Sequence, residues 1–428
     1  MRVKIYTLGC KVNQFESQAM MARLSQRGYD CADDGADAEI TIINSCAVTA
    51  SSESKAMKLI RRIRRENPDT VIVLTGCMAQ TMENGTEKPE DADIILGNKR
   101  RGNIDRVLED YFKDRRSITF IEPYGKKDEY ENLEVTEFSG RTRAFLKIED
   151  GCNRFCSYCI IPYARGRVRS CTTEYIEKEI RAFAQNGYNE VVIVGINLSC
   201  YGSDIGVSFA DGIKAACTAA DVRIRLGSLE PESMDIDTLR TFASFRNFCP
   251  QFHLSLQSGC DRTLRRMNRH YTAAEYEKIV KDIRSIFENA AITTDVMVGF
   301  AGESEEEFAE SLAFVEKIGF AKVHVFPYSR RPGTAADKAD GHIPEEVKKR
   351  RASVMAEAAQ RSRKKFLEAQ VGRIEPVLIE ARNKNGKYEG YTPNYTLVYV
   401  DADESMINTI VNVRITRAGE DNCFGELC

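Results

Sequence analysis

Along residues 1–115, short apolar runs alternate with stretches whose apolar positions recur at helical spacing. Arg2–Leu8, Glu39–Asn44, Thr70–Leu74 and Ile94–Leu96 read as strands, with helices at Glu16–Gln26, Glu53–Glu66 and Asn103–Phe112. Strands separated by helices predict an α/β unit with a doubly wound parallel sheet. Residues 116–141 turn polar and acidic and lose their period, so they read as a linker. Six strand candidates follow in residues 142–340: Ala144–Ile148, Glu190–Gly195, Arg223–Leu229, Gln251–Leu256, Ile292–Val298 and Lys322–Phe326. Most precede a helical pattern, but six βα units are too few for the eight-stranded barrel. A basic helix is expected within 341–370, and alternation with turn signals in 371–428 predicts a small antiparallel β barrel.

Length and charge bound the partners. A chain of 428 residues holds two or three domains. Its net charge of -3 means that any nucleic-acid site is a local basic patch. Candidates are Lys55, Lys58, Arg61, Arg62, Arg64 and Arg65, the run Lys99–Arg101, and the cations of 345–366. A solvated helix face is the ordinary meaning of such runs, and phosphate contact is the second. The barrel offers Tyr388, Tyr391 and Tyr395 for stacking, although nine Asp and Glu against six Lys and Arg give it no basic field. Fourteen cysteines in a chain this apolar do not read as a disulfide framework. The sequence has no run of about 18 apolar residues, so no membrane is expected and a reducing cytoplasm is the expected compartment.

The chemistry lies in the cysteines. Cys152, Cys156 and Cys159 follow C-x₃-C-x₂-C in Gly151-Cys152-Asn153-Arg154-Phe155-Cys156-Ser157-Tyr158-Cys159, which has no fourth ligand. Structural zinc closes a tetrahedron of four protein ligands, whereas a cluster held by three cysteines keeps one iron open. Cys10, Cys46 and Cys77 each stand just past an expected strand end, where open parallel sheets bind ligands. They either form a second three-ligand site or are separate core cysteines. Gly195, Glu230, Gln257 and Asp295 lie near ends of the central strands and are candidates for cofactor contact. Arg165, Arg167 and Arg169 would share one face of an extended segment, either positioning phosphate or lining a solvated edge.

The triad spacing resembles the signature of radical S-adenosylmethionine enzymes. The whole chain, with Thr7-Leu8-Gly9-Cys10-Lys11-Val12-Asn13-Gln14-Phe15-Glu16-Ser17, His253–Gly259 and Arg266–Tyr271 in order, resembles the methylthiotransferases of that superfamily. The opening motif is most similar to the branch that acts on threonylcarbamoyladenosine (t6A) in tRNA. The resemblance implies a partial (βα)6 barrel, a terminal TRAM-like barrel, two four-iron, four-sulfur clusters and S-adenosylmethionine. It implies that the Cys152 set yields a radical that takes hydrogen from carbon 2 of the adenine. The Cys10 set would carry the sulfur that is methylated and delivered there. Implied partners are the tRNA anticodon loop carrying t6A and an electron donor protein such as flavodoxin or ferredoxin. Rival expectations are methylthiolation of isopentenyladenosine or of a ribosomal aspartate, or a non-catalytic metal-binding RNA adaptor. Ala301 and Cys171 depart from the family pattern, away from every expected ligand.

Overall fold

Val3–Thr7 (β1), Ile40–Ser45 (β2), Val71–Gly76 (β3), Ile94–Leu96 (β4) and Ile118–Phe120 (β5) form one parallel sheet in chain order. The computed structural model describes residues 1–31, 38–82, 88–125, 127–135, 138 and 141–428, so parts of the expected linker lie outside the described residues. β2 and β3 bury every residue, as strands covered on both faces must. Among Lys11–Gln26 (α1), Ala50–Glu66 (α2), Cys77–Thr81 (α3) and Ile104–Asp114 (α4), the first and last pack on one face through Met20, Leu24, Val107 and Leu108. α2 and α3 cover the other face through Ile60, Ile63 and Met78. α1 begins at Lys11 rather than at the expected Glu16, which makes Cys10 its N-cap. β5 falls in the stretch read as a linker, because three residues carry no period to detect.

The second unit opens with Arg143–Lys147 (β6). Glu149–Asp150 (β7) and Arg169–Ser170 (β8) pair antiparallel and clasp the intervening loop, which includes the helix Ile161–Arg165 (α5). Thr173–Gln185 (α6), Glu190–Val194 (β9), Phe209–Ala219 (α7), Arg223–Leu226 (β10), Ser228–Leu229 (β11), Ile236–Ala243 (α8) and Gln251–Leu254 (β12) come next. Asp261–Arg266 (α9), Ala273–Ile286 (α10), Ala291–Val298 (β13), Glu305–Ile318 (α11) and Lys322–Pro327 (β14) complete it. Parallel pairing gives β6-β9-β10 and β11-β12-β13-β14, joined where β10 continues through Gly227 into β11. This is the expected six-unit partial barrel, with β6 and β14 at its two edges. Ser208, Thr272 and Ser304 start three of its helices with capping boxes to Asp211, Glu275 and Glu307.

Glu345–Glu368 (α12) packs along β14 and leads into a closed barrel. Its strands are Ile374–Arg382 (β15), Tyr388–Tyr391 (β16), Leu397–Val400 (β17), Ile410–Ala418 (β18) and Cys423–Leu427 (β19), in the order β15-β16-β17-β19-β18. This is the expected small antiparallel barrel, with four antiparallel neighbour pairs and one parallel pair, β17 with β19. The barrel docks on the first residues of the central strands. Arg223 donates to the carbonyls of Pro376 and Tyr391, Arg225 to those of Thr392 and Pro393, and Arg143 pairs with Glu380 at 2.7 Å.

That docking uses the aromatics offered for RNA. Tyr391 and Tyr395 stack on each other at 4.5 Å, with Arg143 over both rings, and Tyr388 lies in the barrel core. All three are occupied within the protein. The cations of α12 are largely occupied too: Lys348, Arg351 and Arg363 are buried, while Arg350 and Arg361 pair with Glu305 and Glu316. Lys99, Arg100 and Arg101 pair with Asp128, Glu122 and Glu16. No helix among the described residues is long and apolar enough to cross a membrane.

Candidate metal-cluster site

The Cys152 loop is shaped by backbone that only glycine tolerates. Gly151 has φ +92°, and a Cβ there would stand 2.0 Å from the Arg167 carbonyl oxygen. Hydrogen bonds from Cys152 N to Gly166 O (3.0 Å) and from Cys159 N to Cys156 O (2.9 Å) fold the loop back on itself. Phe155 takes φ 49° and turns its ring out against Tyr163 and Arg167. Three donors then aim at sulfur: the Arg154 amide and Asn197 Nδ2 at Cys152, both at 3.5 Å, and Arg269 Nη1 at Cys156 at 3.3 Å. Burial pushes the Cys152 and Cys159 thiols up to about 12.

Cys10, Cys46 and Cys77 come together from three strand ends. Cys10 caps α1 after β1, Cys46 follows β2, and Cys77 opens α3 after β3. A Cβ on Gly9 would meet Cys46 Cβ at 2.7 Å and one on Gly76 would meet the Ser45 carbonyl at 2.3 Å, so both glycines permit the crowding. The three thiols lie within electrostatic reach of one another, and burial pushes Cys46 up to about 11. Cys10 keeps exposed surface, whereas Cys46 and Cys77 are buried. The Val48 amide donates to Cys46 at 3.5 Å and Arg165 Nε to Cys77 at 3.1 Å.

Among the described residues no group of three His, Cys, Asp or Glu side chains is arranged to hold a metal ion. Each set has three thiols with N–H groups directed at sulfur and, among the described residues, no fourth cysteine beside them, donor chemistry that fits an iron–sulfur cluster.

The two sets are joined. α5, just beyond Cys159, packs on α3, and Ile160, Ile161 and Ala164 close over Ala47 and Cys77. Arg165 is fully buried and reaches Asn13 (2.9 Å), Glu16 (2.5 and 2.9 Å) and Asp150 (3.4 Å). Arg101 and Lys147 also bind Glu16, and Lys147 and Arg169 approach Asp150 at 3.2 and 3.7 Å. Burial alone would raise the Glu16 carboxyl, but Arg101, Arg165 and Lys147 overcome it and hold the group at about 2. Two readings of Arg165, Arg167 and Arg169 are thereby corrected: α5 breaks the extended segment, Arg165 and Arg169 are interior, and Arg167 alone is exposed.

Comparison with known proteins matches residues 2–97 to the uncharacterized protein family UPF0004, 146–315 to the radical SAM superfamily and 368–428 to the TRAM domain. A threonylcarbamoyladenosine tRNA methylthiotransferase of Aquifex aeolicus is 36% identical over 94% of this chain and 100% of its own length. One from Thermotoga maritima is 38% identical over 92% of this chain and 90% of its own. The chain belongs to the radical SAM tRNA methylthiotransferase family. Another similar member, a tRNA-2-methylthio-N(6)-dimethylallyladenosine synthase of Clostridium botulinum, is 35% identical over 99% of this chain and 96% of its own. The fold is shared with the radical S-adenosylmethionine methyltransferase TsrM from Kitasatospora setae (TM-score 0.54, 12% identity, 76% of this chain and 72% of that one).

The remaining candidate contacts stand at or near the central strands of this methylthiotransferase. Glu230, just past β11, is bound by Arg269 through both nitrogens, which ties it to Cys156. Gln257 takes a left-handed φ of 63° past β12, held by backbone bonds to Asp295 and Met297. Asp295 stands within β13 rather than at its end, and pairs with His253 at 3.3 Å. The Gly195 position is glycine because a Cβ would meet Glu149 Oε2 at 2.7 Å. That carboxylate accepts from the Asn197 amide at 2.7 Å, and Asn197 in turn reaches Cys152. Asn197, Arg269 and the buried role of Arg165 escape sequence reading, since none has a spacing that marks it.

Proposed function

We propose that this methylthiotransferase adds a methylthio group to carbon 2 of t6A beside the tRNA anticodon, with one cluster on Cys152, Cys156 and Cys159 and a second on Cys10, Cys46 and Cys77. The observation that carries the reading is the joining of the two thiol sets through α3, α5 and Arg165. Two such sites serve one adenine from two sides. When bound, the clusters and S-adenosylmethionine supply the radical, the methyl group and the sulfur.

The chain's own residues do the placing. Arg269, Asn197 and Arg165 direct N–H groups at cysteine sulfur, which favours the thiolate form and tunes the potential. Glu230, Gln257, Asp295 and the backbone at Gly195 position S-adenosylmethionine. Lys55, Lys58, Arg61, Arg62 and Arg65 form an exposed face of α2 for tRNA phosphates. An electron donor such as flavodoxin or ferredoxin completes the reaction, in the cytoplasm. The working units are 1–115, the linker 116–141, the core 142–340, the basic helix 341–370 and the barrel 371–428.

The t6A assignment is favoured by relatives of that name at 35–38% identity, against 34–35% for those named as dimethylallyladenosine synthases. Mass spectrometry of tRNA nucleosides from a deletion strain tests it. Loss of the 2-methylthio form of t6A, with the unmethylthiolated nucleoside accumulating, is expected. Its persistence in a strain with no second such enzyme would refute the assignment.

A further inference from the structure

An aromatic ring left open to solvent forgoes one of the larger gains that folding offers a side chain. Among the described residues only Phe155, Tyr163 and Phe326 are exposed aromatics, and the first two touch each other at the Cys152 loop.

The fold holds this pair in place. Phe155 takes a left-handed φ of 49°, which is costly for a residue other than glycine, and Asn268 Nδ2 secures it by donating to the carbonyls of Phe155 (3.0 Å) and Arg154 (3.4 Å). The two rings meet edge to face, with centroids 5.8 Å apart and planes at 80°. Such a pair covers one face of one ring only, and Tyr163 stays 51% exposed and Phe155 38%. Arg167 lies over the Phe155 ring at 5.5 Å, exposed and with no ion pair among the described residues. The pair also stands where the two cysteine sets meet. Phe155 lies between Cys152 and Cys156, whereas Tyr163 belongs to α5, whose Ile161 and Ala164 close over Ala47 and Cys77. The loop after β14 reaches the same place: a Cβ on Gly333 would touch Ile160 at 3.8 Å, and Arg331 donates to Glu53 at 3.0 Å in the first turn of α2, the helix with the exposed cations.

Open aromatic faces with a guanidinium alongside suit unpaired bases, because every base has a π face and its backbone carries anionic phosphate. An adenine served by both cysteine sets leaves its neighbours in the strand at the rim where those sets join. We infer that Phe155 and Tyr163 form a platform on which a base flanking the target adenosine stacks, with Arg167 bound to the adjoining phosphate. This rests on the tRNA and two-cluster reading given above, and is independent of the group carried on N6.

The test uses the full-length reconstituted enzyme and three anticodon stem-loop RNAs, one intact and two lacking the base on the 5′ or the 3′ side of the target adenosine. Fluorescence anisotropy gives Kd. The wild type is expected to lose roughly 5- to 100-fold in affinity when one of the two flanking bases is removed. Tyr163→Ala and Phe155→Ala should bind the intact RNA and that abasic RNA alike, while Tyr163→Phe should keep the difference. Arg167→Gln should lower the log–log salt slope by about 0.7, the share of one single-strand phosphate. A wild type indifferent to both removals overturns the inference without any variant, as do alanine variants that retain the difference. Alanine variants with RNA discrimination intact, but with slower turnover driven by reduced flavodoxin and not by dithionite, would assign the pair to the electron donor and also overturn it. A wild type that binds the stem-loop no better than an unrelated hairpin refutes the underlying tRNA reading itself.

Discussion

Arg165 Nε donates a hydrogen bond of 3.1 Å to Cys77 Sγ, linking the loop region of one cysteine set to a member of the other. The same guanidinium binds Glu16 through both terminal nitrogens, so one buried side chain aligns α1, α3 and α5. Removing one partner of a buried charge network leaves the rest uncompensated. Arg165→Met is expected to destabilise the protein by about 3–5 kcal/mol. Thermal melts of the purified variant check this, with Arg165→Lys recovering part of the stability because it keeps charge without the fork.

Acid should loosen the same contact. The folded Glu16 carboxyl sits at about 2, below its ordinary 4.5, so its contribution to stability is complete above the ordinary value and is lost as pH falls from there towards 2. Melting temperature should therefore drop across that window in the parent protein. Glu16→Gln should start lower and show a flatter acid limb.

The two cysteine sets should separate by function. Alanine at Cys152, Cys156 and Cys159 is expected to abolish S-adenosylmethionine cleavage to 5′-deoxyadenosine. Alanine at Cys10, Cys46 and Cys77 should leave some cleavage and no sulfur transfer. Iron analysis after anaerobic reconstitution should fall from about eight to about four per chain in either triple variant. Zinc in place of iron in the parent protein would sink the assignment.

Among the described residues Lys55, Lys58, Arg61 and Arg65 on the outer face of α2 make no ion pair, while Arg62 stands 3.8 Å from Glu66. Replacing all five with glutamine should weaken tRNA binding and flatten its salt dependence, by about 0.7–0.9 in log–log slope for each phosphate that is no longer neutralised. Arg350 and Arg361, already paired with Glu305 and Glu316, provide the control, and their removal should leave the slope unchanged.

Much of this fold is written in local order along the chain. The period of apolar residues marked the strands and helices, and the C-x₃-C-x₂-C spacing marked a loop with one ligand too few. Strand ends marked Cys10, Cys46 and Cys77 as neighbours because a parallel sheet brings equivalent ends to one edge. Three-residue β5 and the early start of α1 stayed hidden, since each is shorter than the period that would reveal it.

Which charges and rings are free depends instead on the folded whole. Arg165 and Arg167 look alike in sequence, yet one is fully buried against Glu16, 149 positions away, and the other is exposed. Tyr391 and Tyr395, open to RNA by sequence, are stacked between the terminal barrel and Arg143. Burial and pairing depend on which distant segments pack together, and that information lies in the folded core rather than in any local run of residues.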